Sequence, residues 1–160
     1  MAGQLLVSPS PRQAHQDAVR DLVLLLAPYV RAHRIGHLSF APADLEIRPG
    51  ESYQPDLFVL PLLEGGRRPR EWSEAATPLL VVEVSWPSTA RFDRVVKRPA
   101  FQDAGVAEFW IVDLDTRLVE RWRPGDARPE IAIDRFAWTP AGAAAALEID
   151  LAAFFAGVLD

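Results

Sequence analysis

Residues 78–88 read PLLVVEVSWPS. Leu79, Leu80, Val81, Val82 and Val84 form a near-continuous apolar run, the pattern of a strand covered on both faces. A carboxylate, Glu83, is set into that run just ahead of a Ser85-Trp86-Pro87 break. Burying an ionised carboxylate is costly unless it is paired, hydrogen-bonded or bound to metal. Glu83 therefore either reaches water at a strand end or has a chemical task.

Working outward from this strand, residues 62–77 form a polar loop of a length that is uncommon unless functional or mobile. Before it, residues 55–61 (PDLFVLP) read as a second strand, with Asp56 at its start. Residues 44–48 alternate polar and apolar like a strand, and 48–52 read as a turn. Over residues 11–33, Ala14, Ala18, Val19, Leu22, Val23, Leu26, Tyr29 and Val30 trace one face of an amphipathic helix. Pro28 is expected to kink that helix and Gly36 to stop it. On the other side, a helix is expected before Gly105 and a strand over 108–113. The turn after Asp113 makes 118–122 the second arm of a hairpin. A short strand near 130–133 and a short helix over 151–155 follow. The order helix, strands, helix, strands predicts an α/β (α+β) domain, a mixed sheet flanked by helices.

At 160 residues, 49% hydrophobic and 24% charged, the chain reads as a single globular domain over 1–160, long enough to bury roughly 70% of its unfolded surface. The net charge of -5 argues against coating nucleic acid through bulk charge. Basic residues nevertheless cluster at 65–70, 91–98 and 117–123, each of which reads singly as a solvated face. No cysteine is present, so disulfides and thiolate metal sites are excluded. The first residues lack a basic start followed by an apolar core, and no apolar run approaches the ~18 residues of a membrane helix. A cytoplasmic protein is the expectation.

Several chemistries find no support in the sequence. There is no G-x-S-x-G elbow and no H-E-x-x-H pair, and GGRRPREW lacks the ending of a phosphate-binding loop. His33 and His37 stand four apart, but Gly36 between them marks a helix end rather than a metal pair. What remains is Asp56 and Glu83, each in an apolar strand. Hard cations such as Mg²⁺ or Mn²⁺ take oxygen ligands, often one or two carboxylates completed by waters and phosphate oxygens. Such an ion can activate a phosphodiester toward water, and a nearby ammonium can neutralise developing charge. Lys97, shortly after the Glu83 strand, is the candidate cation.

The run from Gln54, Pro55, Asp56 and Leu57 through VVEVSWPST, Asp93, Lys97 and Phe101 to GVAEFWIVD (105–113) resembles the Uma-two family. These are restriction-endonuclease-like proteins of the PD-(D/E)xK nuclease superfamily. The resemblance extends to His15 in the first helix and to IDLAAFF near the end. It implies a restriction-endonuclease-like fold and a divalent metal, Mg²⁺ or Mn²⁺, held by Asp56 and Glu83. It also implies catalysis by Asp56, Glu83 and Lys97. The superfamily's lysine normally falls at the position of Ser85; in this family a lysine on the following helix, here Lys97, takes its place. Trp86 and Phe101 depart from the family's usual serine and tyrosine. Pro99 stands just after Lys97, so the regular helix is expected to start close to Lys97.

Two functions follow. One is a Mg²⁺-dependent endonuclease hydrolysing DNA; the other is a catalytically silent binding or assembly protein on the same fold. A homodimer is expected, because a lone acidic domain grips a duplex poorly and twofold pairing doubles its sites and arginines. Trp110 and Trp122 read as core. Trp72 and Trp86 fall in loops, where exposed rings could stack on bases.

Overall fold

The computed structural model describes residues 11–71, 74 and 76–160. A long helix, α1 (Pro11–Ala32), leads into β1 (Gly36–Phe40), a small hairpin of β2 (Leu45–Arg48) and β3 (Glu51–Tyr53), and then β4 (Leu57–Pro61). After the loop come β5 (Leu80–Ser85), α2 (Pro87–Phe92), a π-helical turn (Asp93–Lys97) and α3 (Arg98–Asp103). The chain continues through β6 (Phe109–Asp113), β7 (Leu118–Trp122), β8 (Glu130–Ala132), β9 (Arg135–Trp138), β10 (Leu147–Asp150) and α4 (Leu151–Leu159). Trp72 and the first ten residues, on which an aromatic contact and the absence of a leader were expected, lie outside the described residues.

The main sheet has the order β1-β4-β5-β6-β7-β8. Only β5 and β6 run parallel; the other pairs are antiparallel. The helical connection between β5 and β6 supplies the crossover a parallel pair requires. The sheet is thus mixed and covered on both faces. On one face Leu57, Val59, Val82, Val84, Trp110 and Val112 pack against α1, α4 and the β9–β10 hairpin. On the other, Phe58, Leu60, Val81, Phe109 and Ile111 pack around Phe101 of α3 and Leu45 of β2. Trp110 and Trp122 are buried as expected. Trp86 is half-buried against the first core and heads α2, so it is no exposed stacking platform.

Helix α1 runs as one element across Pro28 to Ala32, and its end corrects one expectation. The left-handed residue after it is Arg34, at φ 52°, and Gly36 already belongs to β1. Gly36 has another role: a Cβ there would sit 2.3 Å from the carbonyl oxygen of Leu60 across the strand pair, so only glycine lets the edge strand close. As expected, the regular helix that carries Phe101, α3, starts next to Lys97, at Arg98; what the sequence did not announce is the helical structure ahead of it, which begins at Pro87. Proline fits that first helical position because its amide is unbonded there anyway, while Thr89 Oγ1 accepts the Trp86 amide at 3.1 Å. Finally, the C-terminal helix extends to Leu159.

Candidate active site

Both predicted carboxylates lie on the face covered by α2 and α3. In β5, Val81 packs in the Phe101 core, and the period of two puts Glu83 and Ser85 on that same side. Phe58 does likewise in β4, which gives Asp56, two residues earlier, the same orientation. The antiparallel ladder pairs Leu57 with Val82, so the next step brings Asp56 beside Glu83. Pairing stops there. The carboxylate of Asp56 then takes over from the ladder: Oδ2 accepts the Val84 amide at 2.7 Å. His15, reaching over from α1, lies with Nε2 3.0 Å from Asp56 Oδ1. Each carboxylate oxygen keeps a further lone pair for another partner.

Glu83 is only 3% exposed. Lys97 Nζ stands 3.1 Å from its Oε1, an ion-pair distance, yet Oε1 accepts no well-directed hydrogen bond. Lys97 Nζ is also 3.7 Å from Asp93 Oδ1, and Asp93 accepts a very short hydrogen bond from Ser85 Oγ. The cluster therefore sets three carboxylates and a histidine around one ammonium.

Electrostatics follow from that count. Burial first, then the charge of Asp56, pushes the Glu83 carboxyl well above the ordinary range; Lys97 opposes this and Asp93 adds to it. Burial also raises Asp93, against the Ser85 hydrogen bond and the Lys97 charge. His15 is raised chiefly by its hydrogen bond to Asp56, against partial burial. All three shifts favour the protonated form, driven by burial in Glu83 and Asp93 and by the Asp56 carboxylate in His15.

The π turn is what aims Lys97. Within it the Arg98 amide bonds to the Asp93 carbonyl, five residues back. Pro99 offers no amide hydrogen, and its ring would crowd the carbonyl four residues before it in a regular α-helix. The wider turn relieves that crowding, and Arg98 Nε bonds the Arg94 carbonyl at 3.1 Å. Pro99 thus stands at the start of α3 without deflecting Lys97 outward. Arg94 pins the turn to the sheet, with Nη2 3.1 Å from Asp113 Oδ2 and Nε 2.7 Å from Glu120 Oε2. Phe101 is fully buried beneath.

The structure therefore brings Asp56, Glu83 and Lys97 together, and adds three residues not expected at the site. His15 and Asp93 appeared in the sequence only within the family pattern, and Ser85 only as a vacated lysine position. The Asp93-to-Lys97 spacing of four was the available signal for Asp93. His33 and His37 form no metal pair: one closes α1 and the other lies in β1. Among the described residues, no group of three or more His, Cys, Asp or Glu is arranged to hold a metal ion. Two adjacent carboxylates suffice for an ion that keeps waters and substrate oxygens as its other ligands. The buried, undirected Oε1 of Glu83 is the donor such an ion would satisfy, so these residues fit one.

If Asp56 and Glu83 share a cation, the ion should relieve their repulsion and stabilise the fold. Mg²⁺ or Mn²⁺ is expected to raise the melting temperature of the wild type, and Asp56→Asn to shrink that rise by more than half. An equal rise in the variant, read by differential scanning fluorimetry, would remove Asp56 from the ligand set.

A mixed sheet with two carboxylates at the ends of its central strands, faced by a lysine from the following helical turn, is the arrangement of a restriction-endonuclease-like protein. The family model Uma2, described as "Putative restriction endonuclease", matches residues 1–152, and the chain belongs to that family. A crystal structure described as that of "a putative nuclease belonging to DUF820", from Anabaena variabilis, is similar over 99% of this chain and 89% of its own, with 20% identity and a TM-score of 0.71. At that identity the likeness establishes a shared fold. No curated protein matches the chain.

Proposed function

We propose that the protein is a divalent-metal-dependent endonuclease hydrolysing DNA phosphodiester bonds, acting as one domain over 1–160 in the cytoplasm. The observation that carries this reading is Glu83: a buried carboxylate between Asp56 and Lys97, with an oxygen lacking a directed hydrogen bond. Most buried side-chain polar atoms have a well-formed hydrogen-bond partner, and Oε1 of Glu83 has only the ion pair with Lys97. Mg²⁺ or Mn²⁺, when bound by Asp56 and Glu83, supplies Lewis-acid activation of the phosphodiester. Asp56 is held in place by the Val84 amide and His15. Lys97 orients the attacking water and offsets the negative charge that grows on the phosphoryl oxygens. Asp93 and Ser85 fix the ammonium from the other side. Among the described residues no helix is long and apolar enough to cross a membrane.

The test is a Mg²⁺ and Mn²⁺ titration of plasmid cleavage by the wild type beside the Glu83→Gln protein. Metal-dependent nicking by the first and not the second supports the proposal. No cleavage by the wild type at any metal concentration leaves the silent assembly protein as the reading.

Twofold pairing belongs to the same proposal. Phe92, Val95 and Val96 on the connecting helices, and Ile131 and Ile133 near the far sheet edge, are exposed apolar residues whose cover by a second copy would be favourable. Light scattering is expected to show a mass near twice 17.7 kDa. A monomer at micromolar concentration would count against it.

A further inference from the structure

One concave surface lies outside the carboxylate cluster and shares His15 with it. Beside α1 and the edge strand β1, a groove of about 260 Å³ is lined by His15, Val19, Val23, Leu24 and Phe40. Its wall is shared with a second hollow of about 600 Å³, which has Val23 and Phe40 in common and ends at Arg31, Arg34 and Arg68. The path thus starts at the histidine that holds Asp56. It runs sixteen residues along α1 from His15 to Arg31, about 24 Å at 1.5 Å per residue.

Its two ends differ in chemistry. Near the site the floor is apolar, with Phe40 52% and Leu24 66% exposed, and Arg20 there is engaged by Asp17 and Asp21. At the far end the guanidines are free of carboxylates. Among the described residues, Arg31, Arg34, Arg68 and Arg70 make no ion pair, whereas Arg67 has Glu74 at 3.3 Å. The residues outside the description, 1–10, 72, 73 and 75, contain no Asp or Glu. Arg34 lies against the loop that carries Arg68, its Nη2 3.8 Å from where a Cβ of Gly66 would stand. In a chain of net charge -5, Arg31, Arg34 and Arg68 facing one hollow concentrate positive charge locally.

We propose that this α1–β1 groove holds a single-stranded DNA segment, with phosphates on Arg31, Arg34 and Arg68 and a base stacked on Phe40, leading into the Asp56–Glu83 site. The inference rests on the proposed DNA substrate and names how that substrate is held. A basic track with an exposed aromatic is how single strands are gripped without sequence readout. A duplex turns its bases inward and would leave Phe40 and Leu24 unused. A second copy paired twofold through this same face would set these guanidines against each other and bury them. The pKa of His37 is lowered by burial first and then by the charge of Arg68, which agrees with the crowding of positive charge.

Fluorescence anisotropy with a labelled oligothymidylate, in EDTA so that no cleavage occurs, tests this on the full chain. The Arg34→Ala/Arg68→Ala protein is expected to bind about tenfold or more weaker, with a log K against log salt slope reduced by about 1.4, two phosphate contacts at 0.7 each. Phe40→Ala is expected to weaken binding about 5- to 100-fold and leave the slope unchanged, as a lost stacking contact would. A duplex of the same length should bind more weakly than the single strand. Unchanged affinity and slope in the arginine variant would overturn the proposal. So would equal duplex binding insensitive to Phe40, or a dimer that Phe40→Ala dissociates, which would assign the groove to a second copy. Wild-type cleavage in Mg²⁺ that both variants retain in full would refute the groove and leave the activity standing. Arginine-dependent binding without cleavage at any metal concentration would refute the activity and leave the groove standing.

Discussion

Glu83→Gln is expected to abolish metal-dependent cleavage and, in the same protein, to raise the melting temperature of the metal-free form at pH 8. The first effect follows from removing an anionic ligand that Mg²⁺ needs. The second follows from burial and from the neighbouring carboxylates. The folded-state carboxyl is raised well above its ordinary value by burial and by Asp56 and Asp93. A group raised on folding contributes stability that is fully present below its unfolded value and is lost as pH rises through its folded value. At pH 8 the metal-free wild type therefore bears the strain of an ionised or reluctantly protonated Glu83. The amide variant does not. The loss of the Lys97 ion pair works in the other direction, but Lys97 keeps Asp93 at 3.7 Å, and one excess negative charge is removed. Each kcal/mol gained raises the melting temperature by about 2–4 °C in a chain of this size. Melts in EDTA should show the gain at pH 8 shrinking toward pH 4, and added Mg²⁺ should stabilise the wild type alone. A variant that melts below the wild type at pH 8 would make Glu83 a structural ion-pair member. One that cleaves normally would remove it from the site.

Burial also explains which parts of the molecule could be read in advance. Strand β5 was recognisable because burial on both faces demands an unbroken apolar run, and Glu83 stood out as its exception. The β6–β7 hairpin was recognisable for the same reason, with an acidic turn to mark its bend. Strand β1 was not. As a half-buried edge strand of sequence GHLSF it carries neither a continuous run nor a clear alternation, and its glycine looked like a helix stop. Strands β9 and β10 are four residues each, too short for a period to emerge beside the alanine-rich turn between them.

The site divides along the same line. Asp56 and Glu83 could be singled out locally, but their meeting depends on the Leu57–Val82 register, a long-range pairing set by the whole core. His15 lies on α1, whose apolar stripe faces the opposite side of the sheet, so its reach to Asp56 around the strand end is a tertiary fact. Asp93 sat within RFDRVVKR, which reads as a solvated basic segment. Its burial comes from the π turn, and no local propensity announces an i to i−5 bond.

That turn decides the last prediction. Lys97→Ala is expected to lower the cleavage rate by about 10²- to 10⁴-fold, the range of a positioned proton-handling or water-orienting side chain, while metal binding persists. The sequence left two paths for Lys97, because Pro99 could have swung it outward. With Arg94 clamped to Asp113 and Glu120, and the turn widened ahead of Pro99, the ammonium instead sits 3.1 Å from Glu83 Oε1. Under the proposed function, removing it would take away the cation nearest the substrate phosphate but neither of the carboxylates proposed to hold the metal. It also removes a positive charge that competes with the metal for Glu83, so Mg²⁺ affinity above the Glu83 titration should rise or hold, not fall. Lys97→Met keeps the stem against Phe92, which lies 5.6 Å from Nζ, and so separates lost charge from lost packing. Isothermal titration with Mn²⁺ reads binding, and single-turnover nicking reads rate. Lost binding with lost rate would make Lys97 a support for the carboxylates alone. Unchanged rate in both variants would take it out of the mechanism, leaving Asp56 and Glu83 to act without a lysine.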